Sequence, residues 1–401
     1  MAEYSYRHVI VGGGLTGGFA VEGIRKHDPN GPIVLIGSEK HLPYDRPDLS
    51  KKLWLGKKKV EQIFPHDNDY YASNGADVVL GTGVVGLDAA RRMITDSKAN
   101  TYRYDKLLLA TGGFPRTLEI PGGDLPGICY FRYLDDYVEM RSRAAEGASA
   151  VVIGGGFIGS EIAAALHINK VQVTMVFPAA YLVHRVFPEG LGRALTALYA
   201  NRGIDIETND APASFEQAGD RLVTATRNGK RIESDMVIAG VGILPAVNLA
   251  EVGGLGVENG IAVNEFLQTS NPDVYAGGDN AVFPYRALGK RMRIEHWDNA
   301  INQGRHAGEN MAGAGEPFTY MPYFFSDLFE FGYEAVGDVD PRLETVADWQ
   351  KENDTGVIYY LADGKVRGAM MCNVWDKVPD ARELIRQGKK MTAEDLRGAI
   401  R

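Results

Sequence analysis

The sequence predicts an α/β protein with two Rossmann-like halves followed by a smaller α+β domain. The first observation is a glycine-rich turn that occurs twice, 142 residues apart, each time after an apolar run. The second is the β-α-β pattern that each turn opens, and the third is a change of character beyond Thr319. Both turns have the spacing G-x-G-x-x-G, and their glycines are Gly12, Gly14 and Gly17 in the first and Gly154, Gly156 and Gly159 in the second.

The physical role of each glycine explains why this spacing points to a dinucleotide. The first glycine permits the tight turn, the second lets the backbone approach a pyrophosphate, and the third lets helix and strand pack closely. The following helix offers free N–H groups and the positive end of its dipole to the phosphates. A single match is weak evidence, since an ordinary tight turn explains it equally well. Two matches, each in a β-α-β context, predict two bound dinucleotides and electron transfer between them.

The first half begins with an apolar strand at residues 8–11, which the glycine turn connects to a helix. Asp28-Pro29-Asn30-Gly31 is typical of a turn and ends that helix. A stretch rich in proline and glycine, Pro115–Gly127, is typical of a linker to the second half. The elements predicted between these points are a helix at Gly17–His27 and strands at Pro32–Gly37, Val78–Leu80, Ala90–Thr95 and Tyr104–Ala110, the last followed by Thr111 and Gly112.

The second half repeats the pattern, with a helix at Gly159–Ile168 and a returning strand at Val171–Phe177. An apolar strand at Met236–Gly242 echoes the strand that ends in Thr111 and Gly112, so the repeat covers more than the glycine turn. The remaining predicted elements are a strand from Val274 to a polar turn at Asp279, a helix at Glu295–Ala312, β-like runs at Gly356–Tyr360 and Val366–Met371, and a helical stretch from Pro379.

Composition argues against several classes of protein. The net charge of −9 gives no reason to expect nucleic acid, although it leaves room for a local basic patch that docks an acidic partner. No run approaches the ~20 apolar residues of a membrane span, and residues 1–7 lack a signal-peptide pattern, so a cytoplasmic location is expected. Cys129 and Cys372 form no C-x-x-C motif and the histidines form no ligand pair, so neither a disulfide framework nor a metal site is predicted.

The chain resembles the FAD-dependent pyridine-nucleotide disulfide oxidoreductases over nearly its whole length. It looks most like the branch that contains apoptosis-inducing factor and the bacterial ferredoxin and rubredoxin reductases. The resemblance implies a split FAD domain at 1–117 and 245–318, an inserted NAD(P)H domain at 118–244, and a C-terminal domain at 319–401 that covers the flavin. The segments that carry it are Leu42–Pro47, Leu49–Lys51, Leu109–Gly113, Gly154–Glu161, Ala276–Asp279 and Gly308–Met311.

The resemblance also implies cofactor-binding residues. Glu39 follows the second strand, where a carboxylate accepts hydrogen bonds from both ribose hydroxyls, although a solvated loop glutamate is the alternative. Arg46 is expected at the FAD pyrophosphate and Asp279 at the ribityl chain. The N–H groups of His296 and Trp297, at a predicted helix start, are expected at the flavin pyrimidine edge. The other expected positions are the six glycines of the turns, Ala110, Thr111, Gly112 and Gly242.

Lys51 and Glu161 are expected to form an ion pair near flavin N5, with Phe157 and Phe325 at the flavin ring. A cation near the flavin stabilises the negative charge of its reduced form. The alternatives are two unrelated surface charges, and an apolar side chain at Phe157 that only packs its helix. Disulfide reductases of the superfamily carry a redox cysteine in this part of the first domain. Because no cysteine precedes Cys129 here, electrons are expected to leave the flavin for an external acceptor.

The predicted function is an NAD(P)H-dependent flavoprotein reductase without a redox-active disulfide, acting on a ferredoxin- or rubredoxin-type protein. A reductase of quinone or oxygen and an NADH-sensing redox interaction protein are the alternatives. The strand that ends at Phe177 carries neither an acid for the adenine ribose nor an arginine cluster for a 2′-phosphate, and His184-Arg185 come later. NADH is favoured, and NADPH stays open. No nucleic-acid or membrane partner is expected, and monomer and homodimer are both allowed.

Overall fold

Two compact units make up the protein in the computed structural model, which describes residues 2–400. The first unit contains the chain up to Asp45, Val60–Phe114 and Leu244–Pro322. The second contains Arg46–Lys59, Pro115–Ile243 and the chain from Tyr323. The domain boundaries inferred from the sequence stay a prediction.

A seven-stranded sheet forms the core of the first unit. The parallel strands run in the order β3-β2-β1-β6, β19 pairs with the end of β6, and β5 and β4 add an antiparallel edge. All four residues of β2 are buried, as expected for parallel strands covered on both faces. Because the strand order reverses between β1 and β6, the loops after these two strands leave a crevice between them. The strands are β1 Glu3–Val11, β2 Ile33–Ile36, β3 Ala76–Val79, β4 Val84–Asp88, β5 Met93–Asp96, β6 Thr101–Leu109 and β19 Val274–Ala276.

The second unit repeats this arrangement in a smaller parallel sheet of order β11-β10-β9-β15-β8. The order reverses between β9 and β15, which places a second crevice at their carboxyl ends. Its strands are β8 Ile128–Cys129, β9 Ser149–Ile153, β10 Gln172–Phe177, β11 Asp205–Thr208 and β15 Met236–Ala239.

Smaller sheets, antiparallel except for the parallel pair β18-β20, complete both units. In the second unit, the β12-β13-β14 meander connects β11 to β15, and the sheet β22-β23-β26-β25-β24 follows at the end of the chain. In the first unit a sheet of order β17-β18-β20-β21 follows the returning chain. Their strands are β12 Pro212–Ala218, β13 Arg221–Thr226, β14 Arg231–Ser234, β17 Val257–Glu258, β18 Gly260–Ala262, β20 Ala281–Tyr285, β21 Lys290–Arg293, β22 Tyr323–Leu328, β23 Phe331–Gly337, β24 Glu344–Lys351, β25 Thr355–Ala362 and β26 Lys365–Cys372; β7 Gly113–Pro115 and β16 Ile243–Pro245 lie where the chain changes unit.

Helices cover the parallel sheets. In the first unit α1 and α7 pack in direct contact, because glycines lie where they meet. A Cβ on Gly304 would fall 2.4 Å from Thr16 O, and one on Gly308 would fall 2.2 Å from Ala20 O. The helices are α1 Leu15–His27, α2 Asn68–Ser73, α3 Leu134–Arg143, α4 Phe157–Ile168, α5 Glu189–Asn201, α6 Asn248–Val252, α7 Trp297–Met311, α8 Val378–Gln387 and α9 Ala393–Leu396, with 3-10 turns at Arg46–Leu49, Val60–Gln62 and Arg286–Leu288.

The structure moves several predicted boundaries. Helices α1 and α4 each begin two residues earlier than predicted, because Gly14 and Gly156 act as their N-caps. The strand predicted at Met236–Gly242 ends at Ala239, before its glycine turn. The meander and α5 have no counterpart in the sequence predictions. Within residues 2–400, no helix has the length and apolar character needed to cross a membrane.

Candidate functional site

The first glycine turn connects β1 to α1 in the first unit. Gly12 has a φ of +130°, and a Cβ there would fall 2.0 Å from Ala110 O at the end of the neighbouring β6. A Cβ on Gly17 would fall 2.1 Å from Gly12 O, so the first and third glycines are required by close packing. Gly14 differs, since a Cβ there would meet nothing within 4 Å. The N-terminus of α1 therefore opens into free space with its first N–H groups available to an anion.

The second turn has the same construction in the second unit. Gly154 has a φ of +112°, and a Cβ there would fall 2.4 Å from Gly240 O, after β15. A Cβ on Gly159 would fall 2.0 Å from Gly154 O, whereas one on Gly156 would meet nothing within 4 Å. Gly242, after β15, is exposed, and its carbonyl accepts a hydrogen bond from Arg116 N at 2.9 Å. Each unit therefore has an open helix N-terminus at its topological switch point, where a dinucleotide is expected.

The loops beside the first turn are held by a buried amide. Asn280 Nδ2 donates to Leu109 O at 3.0 Å and to Thr111 Oγ1 at 2.9 Å. Thr111 Oγ1 in turn donates to Ala246 O at 2.7 Å. Asp279 precedes this asparagine, and its carbonyl accepts a hydrogen bond from Arg293 Nη1 at 2.9 Å. The carboxyl ends of β6 and β19 are thus fixed relative to one another.

Two buried amide side chains leave polar atoms for a ligand. Asn280 and Gln303 are completely buried. Gln303 Oε1 accepts from Gly278 N at 2.8 Å, but Gln303 Nε2 and Asn280 Oδ1 have no partner among residues 2–400. A buried polar atom without a partner costs about 1–3 kcal/mol, so such atoms point to a bound group or an ordered water. Together with the open turn at Gly14, they fit a dinucleotide in the first unit.

The other predicted FAD contacts of the first unit lie on loops and one helix start. Glu39 lies three residues beyond β2, and its Oε2 accepts a hydrogen bond from Tyr44 Oη at 2.5 Å. His296 is the N-cap of α7 and Trp297 is its first residue, so both lie at the helix start as predicted, although the helix begins two residues after the predicted Glu295. Trp297 Nε1 donates to Asp45 Oδ1 at 2.7 Å. Desolvation lowers the pKa of His296 to about 4, against the opposing charge of Asp279, so the imidazole is neutral at pH 7.

In the second unit, a buried ion pair joins Lys51 to α4. Lys51 Nζ lies 2.9 Å from Glu161 Oε1, and the two side chains are 10% and 6% exposed. Ser326 Oγ donates to the same carboxylate oxygen at 2.5 Å, and Ser50 Oγ donates to Glu161 Oε2 at 2.6 Å. Three chain segments therefore meet at one carboxylate. They are the loop that contains Ser50 and Lys51, helix α4 with Glu161, and strand β22 with Ser326. The negative charge of the carboxylate is stabilised by three donors, which makes the buried position tenable.

Aromatic side chains surround this pair. Lys51 Nζ lies 4.6 Å from the centre of the Phe325 ring and 3.4 Å from Phe325 O. Phe157, at the start of α4, meets Phe324 edge to face with ring centres 5.5 Å apart. Tyr333 is completely buried, and desolvation followed by the charge of Glu161 raises its pKa. The ammonium group thus lies between a carboxylate and a ring face, in a setting that water scarcely enters.

Arg46 also lies in the second unit. Its Nη1 donates to Arg132 O at 3.1 Å, and its guanidinium carbon lies 5.5 Å from the centre of the Tyr133 ring. These contacts hold the side chain in one orientation. Whether it meets the FAD pyrophosphate stays a prediction.

The end of β10 forms the wall of the second crevice. Phe177 is buried, and a Cβ on Gly155 would fall 2.7 Å from its ring. Val183 N donates to Gly155 O at 2.7 Å, so the chain folds back to the glycine turn before His184 and Arg185, both exposed. Desolvation, followed by the charge of Arg185, lowers the pKa of His184. The wall is therefore apolar, with two basic side chains following it.

The sequence analysis predicted the contact between some of these residues and did not identify others. It paired Lys51 with Glu161, which the structure places in contact. It missed Ser50, Ser326, Asn280 and Gln303, although the first adjoins Lys51 and the third adjoins Asp279. Serines and amides have no spacing that marks them, and only the packing of distant segments shows what they hold.

Comparisons with known proteins agree with this geometry. Residues 6–304 match the pyridine nucleotide-disulphide oxidoreductase family, and residues 307–355 match the C-terminal domain of mitochondrion-associated apoptosis-inducing factor. The ferredoxin–NAD(+) reductase component of the anthranilate 1,2-dioxygenase system of Burkholderia cepacia is 33% identical, covering 97% of this chain and 96% of that protein. Peroxisomal monodehydroascorbate reductase 4 of Arabidopsis thaliana is also 33% identical, covering 92% of this chain and 79% of that protein.

The fold comparison gives the same result. The reductase in the crystal structure of the covalent putidaredoxin reductase–putidaredoxin complex is similar with a TM-score of 0.91 and 31% identity, over 97% of this chain and 95% of that chain. Both glycine turns and the segments that surround them lie inside the matched regions. The chain belongs to the pyridine nucleotide-disulphide oxidoreductase family, and its cofactors are FAD and NAD(P)H.

Proposed function

We propose that the protein is an NAD(P)H-dependent reductase that passes electrons to a ferredoxin-type protein. The observation that carries the proposal is the buried pair of Lys51 and Glu161, in a chain whose residues 1–128 contain no cysteine. The choice of acceptor rests on the Burkholderia cepacia relative, which is named a ferredoxin–NAD(+) reductase component, and on the reductase solved together with putidaredoxin. Both are similar over almost the whole of either chain.

The first unit would hold FAD. The turn at Gly12–Gly14 offers N–H groups to its pyrophosphate, and Glu39 and Asp279 offer carboxylates to hydroxyl groups. The Tyr44 hydroxyl, which donates to Glu39 Oε2, keeps that carboxylate in one orientation. Bound FAD supplies chemistry that side chains lack, since it accepts hydride from reduced nicotinamide and releases electrons singly.

Lys51 is assigned the role of stabilising negative charge where hydride is received. Its ammonium group is fixed by Glu161, by the Phe325 carbonyl and by the Phe325 ring, so it needs no reorganisation during the reaction. Glu161 is assigned the role of orienting Lys51. Phe157 is assigned the role of covering the flavin ring until nicotinamide binds.

We propose that no thiol relays the electrons. Cys129 lies on β8 and Cys372 is completely buried on β26. Burial raises the pKa of both thiols well above the usual range, so neither forms the thiolate that redox exchange needs. The second glycine turn would bind the nicotinamide nucleotide. NADH is favoured, because His184 and Arg185 alone make a weak clamp for a 2′-phosphate.

A reductase of a small organic acceptor is the second candidate. The observation in its favour is the monodehydroascorbate reductase relative, which is as similar in identity as the ferredoxin reductase. A redox-sensing role is the third, supported by the match of residues 307–355 to the C-terminal domain of apoptosis-inducing factor. The three candidates share reduction by nicotinamide and differ in the acceptor.

Stopped-flow spectroscopy of the FAD-loaded protein tests the proposal. NADH is expected to bleach the flavin absorbance rapidly under anaerobic conditions, and NADPH to do so more slowly. Mixing the reduced protein with an oxidised [2Fe–2S] ferredoxin is then expected to restore the flavin absorbance, at a rate no slower than the kcat of the steady-state reaction. The Cys129→Ser, Cys372→Ser double variant serves as the control and is expected to match the parent in both steps.

Three results would each overturn part of this assignment. Reoxidation that is fast with monodehydroascorbate or a quinone and slow with every ferredoxin would select the second candidate. Reduced flavin that persists for many minutes in air, together with a changed oligomeric state, would select the sensing role. Loss of hydride transfer in the cysteine variant, with FAD still bound, would reveal a thiol step.

A further inference from the structure

A strongly basic segment follows Lys51 in the second unit. Five of the nine residues from 51 to 59 are lysines, in a chain whose net charge is −9. Lys51 pairs with Glu161, and Lys58 Nζ lies 2.6 Å from Asp48 Oδ2. The same aspartate is 3.9 Å from Lys52, which is half exposed. The buried carboxylate of Asp48 therefore lies close to two of the lysines. Since residues 51–59 contain no aspartate or glutamate of their own, the segment is locally rich in positive charge.

The segment has a fixed shape, because Trp54 anchors it. Trp54 is 3% exposed, and its Nε1 donates to Leu49 O at 2.8 Å. Its ring packs edge to face against Tyr137 of α3, with centres 5.4 Å apart, and Asn169 Nδ2 donates to its carbonyl at 3.1 Å. Arg141 lies over the Trp54 ring at 5.5 Å and adds another cation. The lysines are thus displayed from a rigid base.

Apolar side chains are exposed among these cations. Leu55 is 37% exposed, next to the anchored tryptophan. Val138 is 53% exposed on α3, one helical turn before Arg141. Apolar side chains with charges around them are typical of a surface that binds another protein. We call this surface the lysine face and define it by Lys52, Leu55, Lys57, Val138 and Arg141.

We propose that the lysine face docks an acidic electron-carrier protein. The inference rests on the proposed function and names the surface through which the acceptor is recognised. The face continues from Lys51, which contacts Glu161 and Phe325 at the candidate site, so a protein docked there lies next to it in the same unit. Nucleic acid is disfavoured, because three cations are few for a phosphate backbone and the whole chain is negative. An acidic protein is instead steered to a basic face of this kind.

Charge reversal tests the docking surface. The Lys52→Glu, Lys57→Glu double variant is expected to raise the KM for an acidic [2Fe–2S] ferredoxin about tenfold or more at low ionic strength, with kcat close to that of the parent. Added salt is expected to raise the parent's KM and to leave the variant's almost unchanged. NADH-dependent reduction of ferricyanide, a small acceptor, is expected to be equal in both proteins, which shows that the variant folds and accepts hydride. The matched control is Lys365→Glu, Lys389→Glu, which reverses two exposed lysines elsewhere in the second unit.

Each outcome decides between the two proposals. A parental KM in the Lys52→Glu, Lys57→Glu variant, or an equal rise in the control variant, overturns the lysine face and leaves the proposed function standing. Failure of the parent to reduce ferredoxin while it reduces ferricyanide overturns both the acceptor and its docking surface. Absence of NADH-dependent ferricyanide reduction in the parent overturns the proposed function itself.

Discussion

At the scale of single residues, Glu161 is the side chain at which the contacts of the candidate site converge. Its two oxygens accept hydrogen bonds from Ser50 and Ser326 in addition to the Lys51 ion pair. Removing one partner of a buried charge pair costs about 3–5 kcal/mol, because the other is left uncompensated. The serines reduce that cost, since they still stabilise the carboxylate when the lysine is absent. Substitution of Lys51 is therefore expected to leave a folded protein whose change is electrostatic.

Lys51→Ala is expected to keep FAD and to lower the flavin reduction potential. A charge ~4 Å away is worth on the order of 4 kcal/mol at an effective dielectric of about 20. Even a quarter of that slows hydride transfer several-fold, since ~1.4 kcal/mol is a factor of ten. Spectroelectrochemical titration and stopped-flow reduction measure the two effects. Lys52→Ala is the matched control, because it removes the neighbouring, exposed lysine.

The same measurements on Glu161→Gln and on the double variant separate positioning from charge. Glu161→Gln is expected to shift the potential in the opposite direction and to slow hydride transfer by releasing Lys51. The double variant is expected to be less impaired than the sum of the two singles. Additive effects, or an unchanged flavin reduction potential in Lys51→Ala, would show that Lys51 and Glu161 form an ordinary ion pair without a role in flavin reduction.

At the scale of elements, the two glycine turns have the same packing at each glycine, and one lies in each unit. Gly14 and Gly156 are the open positions, whereas Gly12 and Gly154 lie against the backbone of the next strand. Substituting an open position adds atoms only where a phosphate is expected. It therefore tests binding without forcing the fold to change.

Gly156→Val is expected to abolish NAD(P)H binding and to spare FAD, and Gly14→Val is expected to do the reverse. The physical reason is that the branched side chain fills the space in front of an open helix N-terminus. Flavin content per chain, from absorbance, and nucleotide affinity, from equilibrium titration, are the measurements. Loss of FAD in Gly156→Val with nucleotide binding retained would show that the two turns are assigned the wrong way round.

The sequence predicts those elements whose pattern is strong and local. The glycine turns, the long apolar strands and helices α1, α4 and α7 were all found, with each helix start misplaced by two residues. Helices α1 and α4 begin earlier than predicted, after a glycine N-cap, and α7, predicted from Glu295, begins at Trp297. The β12-β13-β14 meander was not found, because its strands are only partly buried and carry no continuous apolar run. Helix α5 was not found either, and it contains Gly190 and Gly192, which weaken a helical pattern.

At the scale of the whole molecule, protonation of several histidines is expected to lower the stability of the folded state. Desolvation lowers the pKa of His8, His66, His184 and His296 below the usual 6.5. The unfolded chain then binds more protons than the folded protein as the pH falls below about 6.5, so stability falls with it. The pKa of Asp28 is also lowered, although burial opposes the hydrogen bonds it accepts, and its contribution is lost at still lower pH.

The midpoint of thermal unfolding is therefore expected to decrease steadily from pH 7 to pH 5. His8→Gln is expected to flatten that slope, because His8 is buried in the first unit with its Nε2 2.9 Å from Asp28 Oδ2, and desolvation lowers its pKa. Calorimetric scans of the two proteins across this range are the measurement, with FAD content held equal. A slope that is the same in both proteins would show that His8 is not one of the groups responsible.

Domain-level organisation is the part that sequence patterns describe least well. The repeated halves follow from local motifs, but the membership of residues 46–59 in the second unit does not. Nothing in that segment's composition indicates which sheet it joins. Its place is decided by contacts with distant partners, such as those of Ser50 with Glu161 and of Trp54 with Tyr137.

The meeting of three chain segments at Glu161 also has a consequence for synthesis on the ribosome. Ser326 is 165 residues beyond Glu161, so at roughly 5–20 residues per second the carboxylate emerges about 8–33 s before its last hydrogen-bond donor. The parallel sheet of the second unit has all its strands by then, but the pocket around Glu161 is still open to water. The nascent protein can therefore hold a formed sheet and an unfinished site at once, and only translation of the final antiparallel sheet closes it.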